Sequence, residues 1–457
     1  MHPINWQQFG LKKDPYDTLP LIEGGDLPIE EAFVGRTEEQ RFLDALLESE
    51  NRLCLTILGD VGVGKTSLAN FQKFIWKYDK PKLLFSFRRE IEASDSLLNK
   101  SNFLIEIIGS VLREIRLLDG NLLKHDLLNS LNQIVDVTQS SSISASVGGS
   151  VYGFGANLGL GNAGAITQPI QLSIATLERY FSELIKFIKE TPIAGLSYSG
   201  LIIHVNNFDV VSADPSQKKK VIGFFNEIRD ILQTPDTYFL FLGPKHFFKD
   251  IISSQQRVKS IFFQTPLKIN PLSKSEIIQA FNGRMELLKS DDVAEYIKPI
   301  ADEVVYRLYD LYKGDIRSVM TGIRDILGQH SERLTQPLSV ADAMLLLGQG
   351  RWDRIEQVVK LTSEQKKVLH FFIKSEQYIS QRDVSKFLEI AQPNVSGYYF
   401  KPLKEAGIIE EKERKGRELL WGLSIDYLPL KWLIEEQKIA TQAIKEQAEQ
   451  LSFFDKI

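Results

Sequence analysis

The sequence predicts an α/β fold built on a parallel sheet, followed by a helical unit and a small C-terminal unit of short helices and a hairpin. Three observations predict it. Strand-like apolar runs alternate with helical patterns through the first part of the chain. The stretch "GDVGVGKTS" (59–67) falls between one such strand and one such helix. From about residue 271 the apolar spacing is helical throughout, and paired strands return only around "ERKGRE".

Taken in order, "RLCLTILG" (52–59) is the first strand and "PKLLFSFRR" (81–89) the second. "GLIIHVNNFD" (200–209), "TYFLFLGP" (237–244) and "FQTPLKI" (263–269) complete a sheet of five. Capping boxes mark three helix starts, at Thr37 with Gln40, Ser273 with Glu276, and Thr362 with Gln365. One segment fits neither pattern. "SSSISASVGGSVYGFGANLGLGNAGAI" (140–166) is rich in Ser and Gly and alternates weakly, so it reads either as a loop or as a Gly-rich hairpin. The chain beyond Pro429 reads as one long helix.

With 457 residues, 43% of them hydrophobic, the chain has material for a large core and about two to four domains. A net charge of −4 excludes a wholly basic nucleic-acid coat, so any nucleic-acid site must be a local patch. The single cysteine, Cys54, excludes a disulfide framework and a cysteine-built zinc site, and its apolar surroundings make it an inert core thiol. Neither a signal-peptide pattern nor an apolar run of about 18 residues is present, so a cytoplasmic chain with no membrane partner is expected.

Gly59, Gly64, Lys65 and Thr66 fill the pattern G-x-x-x-x-G-K-[ST]. Its glycines let backbone N–H groups turn inward around phosphate oxygens, and the following helix N-terminus adds partial positive charge. Lys65 is expected on the terminal phosphates of ATP and the Thr66 hydroxyl on Mg²⁺, with Gly62 and Ser67 completing the loop's share of the nucleotide site.

Upstream, "AFVGRTEEQRFLDALL" (32–47) is similar to the short box that precedes the loop in AAA+ ATPases, and "FGLKKDPYD" (9–17) to the lead-in of some of them. "RVKSIFFQTPLKINPLSKSEIIQAFNGR" (257–284) resembles the stretch that crosses into their helical lid, and "GDIRSVMTGI" (314–323) their second sensor. Together these resemble the AAA+ initiators of the origin-recognition family. The resemblance implies an AAA+ parallel-sheet P-loop domain over 1–270 with an insertion at 139–172, a helical lid over 271–358, and a winged-helix domain with a C-terminal helix over 359–457. It also implies that Arg317 touches the γ-phosphate from the lid, and it raises Arg257 as a finger toward a second copy or another subunit.

The departure from the family lies in the third strand. There an Asp normally orders Mg²⁺ and a Glu polarises the attacking water. This chain has Asn206 and Asn207, with Asp209 two residues on, and Gly243 where a polar sensor is usual. An amide keeps hydrogen-bonding capacity around the metal but brings no charge, and it cannot act as a base. If the strand ends later, Asp209 is the metal carboxylate instead. No catalytic residue is assigned; the site is expected to hold ATP and to hydrolyse it slowly or not at all. His204, inside the same strand, is expected in the core.

In the C-terminal unit, "TSEQKKVLHFFIKS", "SQRDVSKFLE" and "QPNVSGYYFKPLKEAG" have helix-turn-helix spacing, and "IIEEKERKGRELLWGLS" supplies a wing. Val395, Leu403, Ile408 and Ile409 are its expected core, while Pro402 falls inside a helix and should bend it. Gln392, Asn394, Ser396, Tyr398, Tyr399 and Lys401 would face DNA, with Arg414, Lys415 and Arg417 at the wing tip. Acids Glu410, Glu411, Glu413 and Glu418 flank the wing, so a protein-docking role stays open. The alternative reading is a STAND-type signalling or defence NTPase whose winged helix docks protein.

Overall fold

The computed structural model describes residues 3–145, 173–211, 215–330, 336–416 and 418–433. The chain divides into two units, Leu19–Asn270 and a second made of Met1–Thr18 with Pro271–Ile457.

In the first unit the elements alternate as expected. Helix α1 (Thr37–Ser49) leads to β1 (Leu53–Leu58), then α2 (Lys65–Tyr78). Short strands β2 (Phe85–Ser86) and β3 (Ile91–Glu92) precede α3 (Lys100–Asp119), α4 (Asp126–Ala145) and α5 (Ile174–Glu190). Strand β4 (Leu201–Asn206), α6 (Pro215–Glu227), β5 (Thr237–Gly243) and β6 (Leu267–Lys268) complete it. All pairings are parallel, in the order β2-β4-β5-β1-β6, and β3 follows β2 along the free edge of β4. Every residue of β1, β4 and β5 is buried, as a parallel sheet covered on both faces requires.

Residue parity assigns the two faces. Ile202, Tyr238, Leu240, Leu242, Leu55 and Ile57 pack with Leu43 and Leu47 of α1 and Leu68 and Trp76 of α2. Leu201, Ile203, Val205, Phe239 and Phe241 pack with α3, α4, α5 and α6 through Phe103, Leu131, Phe181 and Phe224. Successive side chains of a strand alternate faces, so His204 and Asn206 share the α2 face with Ile202.

Two local expectations need correction. Thr37 is the first residue of α1 and not its cap: Arg36 holds the cap position at φ 64, and Gln40 donates to the Gly35 carbonyl at 2.8 Å. Residues 140–145, expected as loop or hairpin, belong to α4; residues 146–166 of that segment lie outside the described residues, as does the predicted tail helix beyond Leu433.

The second unit holds α7 (Lys274–Leu287), α8 (Asp302–Leu311), α9 (Ile316–His330) and α10 (Val340–Arg354). The Ser273 capping box is formed. The first eighteen residues, expected with the nucleotide-binding domain, group here instead because Tyr16 is buried among Ile277, Phe281 and Met320. Then come α11 (Ser363–Lys374), β7 (Ile379–Ser380), α12 (Gln381–Leu388), α13 (Gln392–Val395), α14 (Lys401–Glu405), β8 (Ile409–Lys415) and β9 (Glu418–Leu423). The Thr362 box is formed too. The antiparallel order β7-β9-β8 makes this a winged helix. Val395, Leu403, Ile408 and Ile409 are buried in its core.

Pro402 is accommodated without a break. Residues Ser396–Phe400 form a π-turn between α13 and α14. Proline has no N–H and crowds the carbonyl one turn back, and a wider turn relieves that conflict. Helix α10 joins the helical unit to the winged helix. Its buried Arg351 pairs with Asp325 of α9 at 2.6 Å and donates to the Asp426 carbonyl at 2.9 Å.

Candidate nucleotide site and winged-helix face

The loop 59–65 runs from buried β1 into α2 under tight steric control. A side chain on Gly59 would stand 2.7 Å from the Ile269 carbonyl, and Gly62 and Gly64 adopt φ of 73 and 91. Those positive angles suit glycine and leave the loop free to wrap a ligand. Lys65 is buried and donates to the carbonyls of Gly59 and Asp60, both at 2.9 Å. From outside, Arg36 braces the loop by donating to the Val63 carbonyl at 2.8 Å, and it pairs with Glu39 at 3.1 Å. The "VGR" spelling marks Arg36, but nothing in it shows the contact with Val63.

Opposite the loop, β4 ends at Asn206, whose side-chain nitrogen donates to Thr66 Oγ1 at 2.9 Å. Parity along β4 brings this about, since Asn206 must face α2. Asn207 then turns at φ 67 into a short helix, Phe208–Val211. That helix carries Asp209, whose Oδ2 lies 3.6 Å from Lys65 Nζ. Burial pushes the Asp209 carboxyl above its ordinary pKa and Lys65 pulls it back down. Its Oδ1 is buried with no hydrogen-bond partner among the described residues. The helix is anchored by Phe208, whose ring centre lies 4.8 Å from that of Phe247. Gly243 is where Phe247 needs room: a side chain there would meet the Phe247 ring at 2.7 Å.

Ser67 accepts from the Leu21 N–H at 3.3 Å, and Asn70 donates to the Leu21 carbonyl at 2.9 Å. Ser67 thus holds the segment ahead of the first strand. Farther along α2, buried Lys77 pairs with Glu114 at 2.7 Å and Glu23 at 3.0 Å. Lys73 donates to the Phe87 and Arg88 carbonyls, and burial pushes its pKa down to about 8. His204 is fully buried, and burial reinforced by Lys73 holds it neutral, well below its ordinary pKa. The Cys54 thiol is buried, donates to the Leu232 carbonyl at 3.3 Å and is raised by burial. Both stand as core residues.

The donor set fits MgATP: a lysine resting on exchangeable backbone carbonyls, a glycine-shaped cradle, a Thr hydroxyl beside an amide, and a carboxylate oxygen with no partner among the described residues. Arg317 is exposed in the first turn of α9, and Arg257 is exposed on Gln256–Lys259.

On the winged helix, Gln392, Asn394, Ser396, Tyr398 and Lys401 are exposed, and Tyr399 is half-buried. Gln365 of α11 donates to the Tyr398 carbonyl at 3.1 Å, fixing the third helix against the first. Several cations are already paired, Lys401 with Glu405 at 3.9 Å, Lys404 with Glu411 at 2.9 Å, and Lys412 with Glu410. Arg414 and Lys415 are exposed and find no ion-pair partner among the described residues; Arg417 lies outside those residues.

No family model matches the chain, and no curated protein does. Solved structures do. The chain is similar to the Aeropyrum pernix ORC2 protein in its ADPNP–ADP complexes, at 14% identity over 95% of this chain and 100% of that one, with a TM-score of 0.46. It is similar to A. pernix ORC1 in complex with DNA, at 14% identity over 91% and 96%, with a TM-score of 0.44. Cdc6p from Pyrobaculum aerophilum is also similar, at 14% identity over 93% and 99%, with a TM-score of 0.38. No helix among the described residues is long and apolar enough to cross a membrane.

Proposed function

We propose that this chain is an ATP-holding switch of AAA+ type that hydrolyses nucleotide slowly or not at all and engages duplex DNA through its winged helix. The observation that carries the first half is the hydrogen bond from Asn206 to Thr66 at 2.9 Å. An uncharged amide occupies the place beside the Thr hydroxyl where a hydrolysing enzyme needs a metal-ordering carboxylate. The loop's N–H groups and Lys65 would hold the phosphates, and Thr66 with Asn206 would border Mg²⁺. Bound Mg²⁺ would supply charge neutralisation of the phosphates. Asn207 cannot accept a proton from water, and Asp209 is engaged by Lys65. General-base groups contribute about 10²–10⁴-fold, so their loss supports very low turnover.

The test is steady-state phosphate release by the full chain, with Lys65→Ala as blank and duplex DNA absent or present. Turnover near the blank, together with nucleotide retained through purification and lost in Lys65→Ala, is the expected result. Brisk turnover in either condition would sink the reading.

A second reading has its own observation: Lys401, Lys404 and Lys412 each lie beside an acid, which lowers the net positive charge of this face. On that reading the winged helix docks protein, as in STAND-type NTPases. Failure of the intact chain to bind duplex DNA at low salt would favour it.

A further inference from the structure

We propose that Lys245 is a second phosphate-binding cation, one that exchanges its partner Asp60 for the terminal phosphate of ATP and so distinguishes ATP from ADP. The proposal rests on the nucleotide reading above and adds to it a residue that reports which nucleotide is bound.

Asp60 is the second residue of the phosphate loop. Its carbonyl accepts from Lys65 Nζ at 2.9 Å, and its carboxylate pairs with Lys245 Nζ at 2.5 Å. Two ammonium groups thus converge on one loop residue, one from α2 and one from the turn after β5. The first is the loop's own lysine. The second has no counterpart in the loop pattern.

The packing explains why it comes from position 245. Gly243 closes β5 and can carry no polar side chain, because the Phe247 ring fills that space. Pro244 has no donor. Lys245 is the first residue past the strand able to offer a charge. The need for one is also local. Asp60 puts an anion on the rim of a cradle shaped for anions, and Asp209 brings a second beside Lys65. Lys65 and Lys245 together balance these two acids. Asn206 and Asn207 supply no carboxylate to draw in a metal, so more of the phosphate charge falls to protein cations.

The Asp60–Lys245 pair is also easily exchanged. Its side chains are 53% and 54% exposed, and exposed ion pairs are weak. A terminal phosphate carries more charge and more acceptor oxygens than a carboxylate. ADP has no group at that place, so with ADP the lysine stays on Asp60.

The experiment is calorimetric titration of the full chain with MgATP and with MgADP, for the unmodified protein, Lys245→Ala, Lys245→Arg and Asp60→Asn. Lys245→Ala should weaken MgATP about tenfold and leave MgADP within about twofold. Lys245→Arg should restore the difference. Asp60→Asn should tighten MgATP, because it removes the competing anion. Weakening in both Lys245→Ala and Asp60→Asn would mean that the pair is a structural brace, and would overturn the proposal. Equal loss for both nucleotides, or no loss, would overturn it as well. If the unmodified protein binds neither nucleotide, the nucleotide reading itself fails and this one with it.

Discussion

The left-handed backbone of Asn207 suits an asparagine at this position. Asn tolerates this region and most residues do not. Glutamate there would carry strain of about 1–2 kcal/mol. Asn206 is under no such constraint, since it ends a regular strand. Asn206→Asp alone should therefore raise phosphate release by about tenfold or more, roughly 1.4 kcal/mol off the barrier. Adding Asn207→Glu restores a proton acceptor but should lower stability by that strain, and a double variant as stable as Asn206→Asp would refute the strain. His204 makes a separate prediction. Its folded pKa lies well below its ordinary value of 6.5, so below about pH 6.5 the unfolded chain takes up a proton that the folded chain refuses. Stability is then full above that pH and falls as pH drops. His204→Leu should reduce the stability lost between pH 7 and pH 5, read by denaturant titration at both pH values.

At the scale of elements, the joint between the helical unit and the winged helix depends on one buried arginine, Arg351. Arg351 and Asp325 are both nearly buried, and removing one leaves the other's charge unpaired. Arg351→Ala should cost about 3–5 kcal/mol, measured by denaturant unfolding. Replacing both with apolar residues should cost much less. The elements also mark where the sequence was and was not readable. Apolar runs disclosed β1, β4 and β5, and the loop's spelling disclosed its place after a strand. The register of β4 was hidden, because a strand buried on both faces shows no alternation that would say which side Asn206 faces. Nor could the sequence reveal that Gly243 makes room for Phe247, an approach set by a turn and not by spacing. Pro402 advertised a conflict with its helix, while the π-turn that resolves it has no signature in the residues around it. Lys245 meets the loop through folding and not through a motif, and the motif that marks Arg36 does not show its contact with Val63.

For the molecule as a whole, the charge balance of −4 restricts any DNA contact to a local patch, and the wing tip is the candidate. Replacing Arg414, Lys415 and Arg417 together by Ala should weaken binding to all duplex sequences alike. It should also flatten the salt dependence by about one unit of slope for each phosphate no longer neutralised, measured by titration at several salt concentrations. Weakening confined to particular sequences would move the readout to Gln392 and Asn394 instead.

The path of the chain through its two units bears on how the protein is made. Leu19–Asn270 is continuous, whereas the other unit is assembled from Met1–Thr18 and everything from Pro271 onward. A ribosome delivers Tyr16 long before its partners Ile277 and Phe281. The Leu19–Asn270 unit can close as soon as β6 emerges, while the Met1–Thr18 strip waits with Trp6, Phe9 and Tyr16 still to be covered. Pairings that span so much sequence form late and slowly. A nascent chain halted near residue 270 would present this strip with its partners Ile277 and Phe281 not yet made.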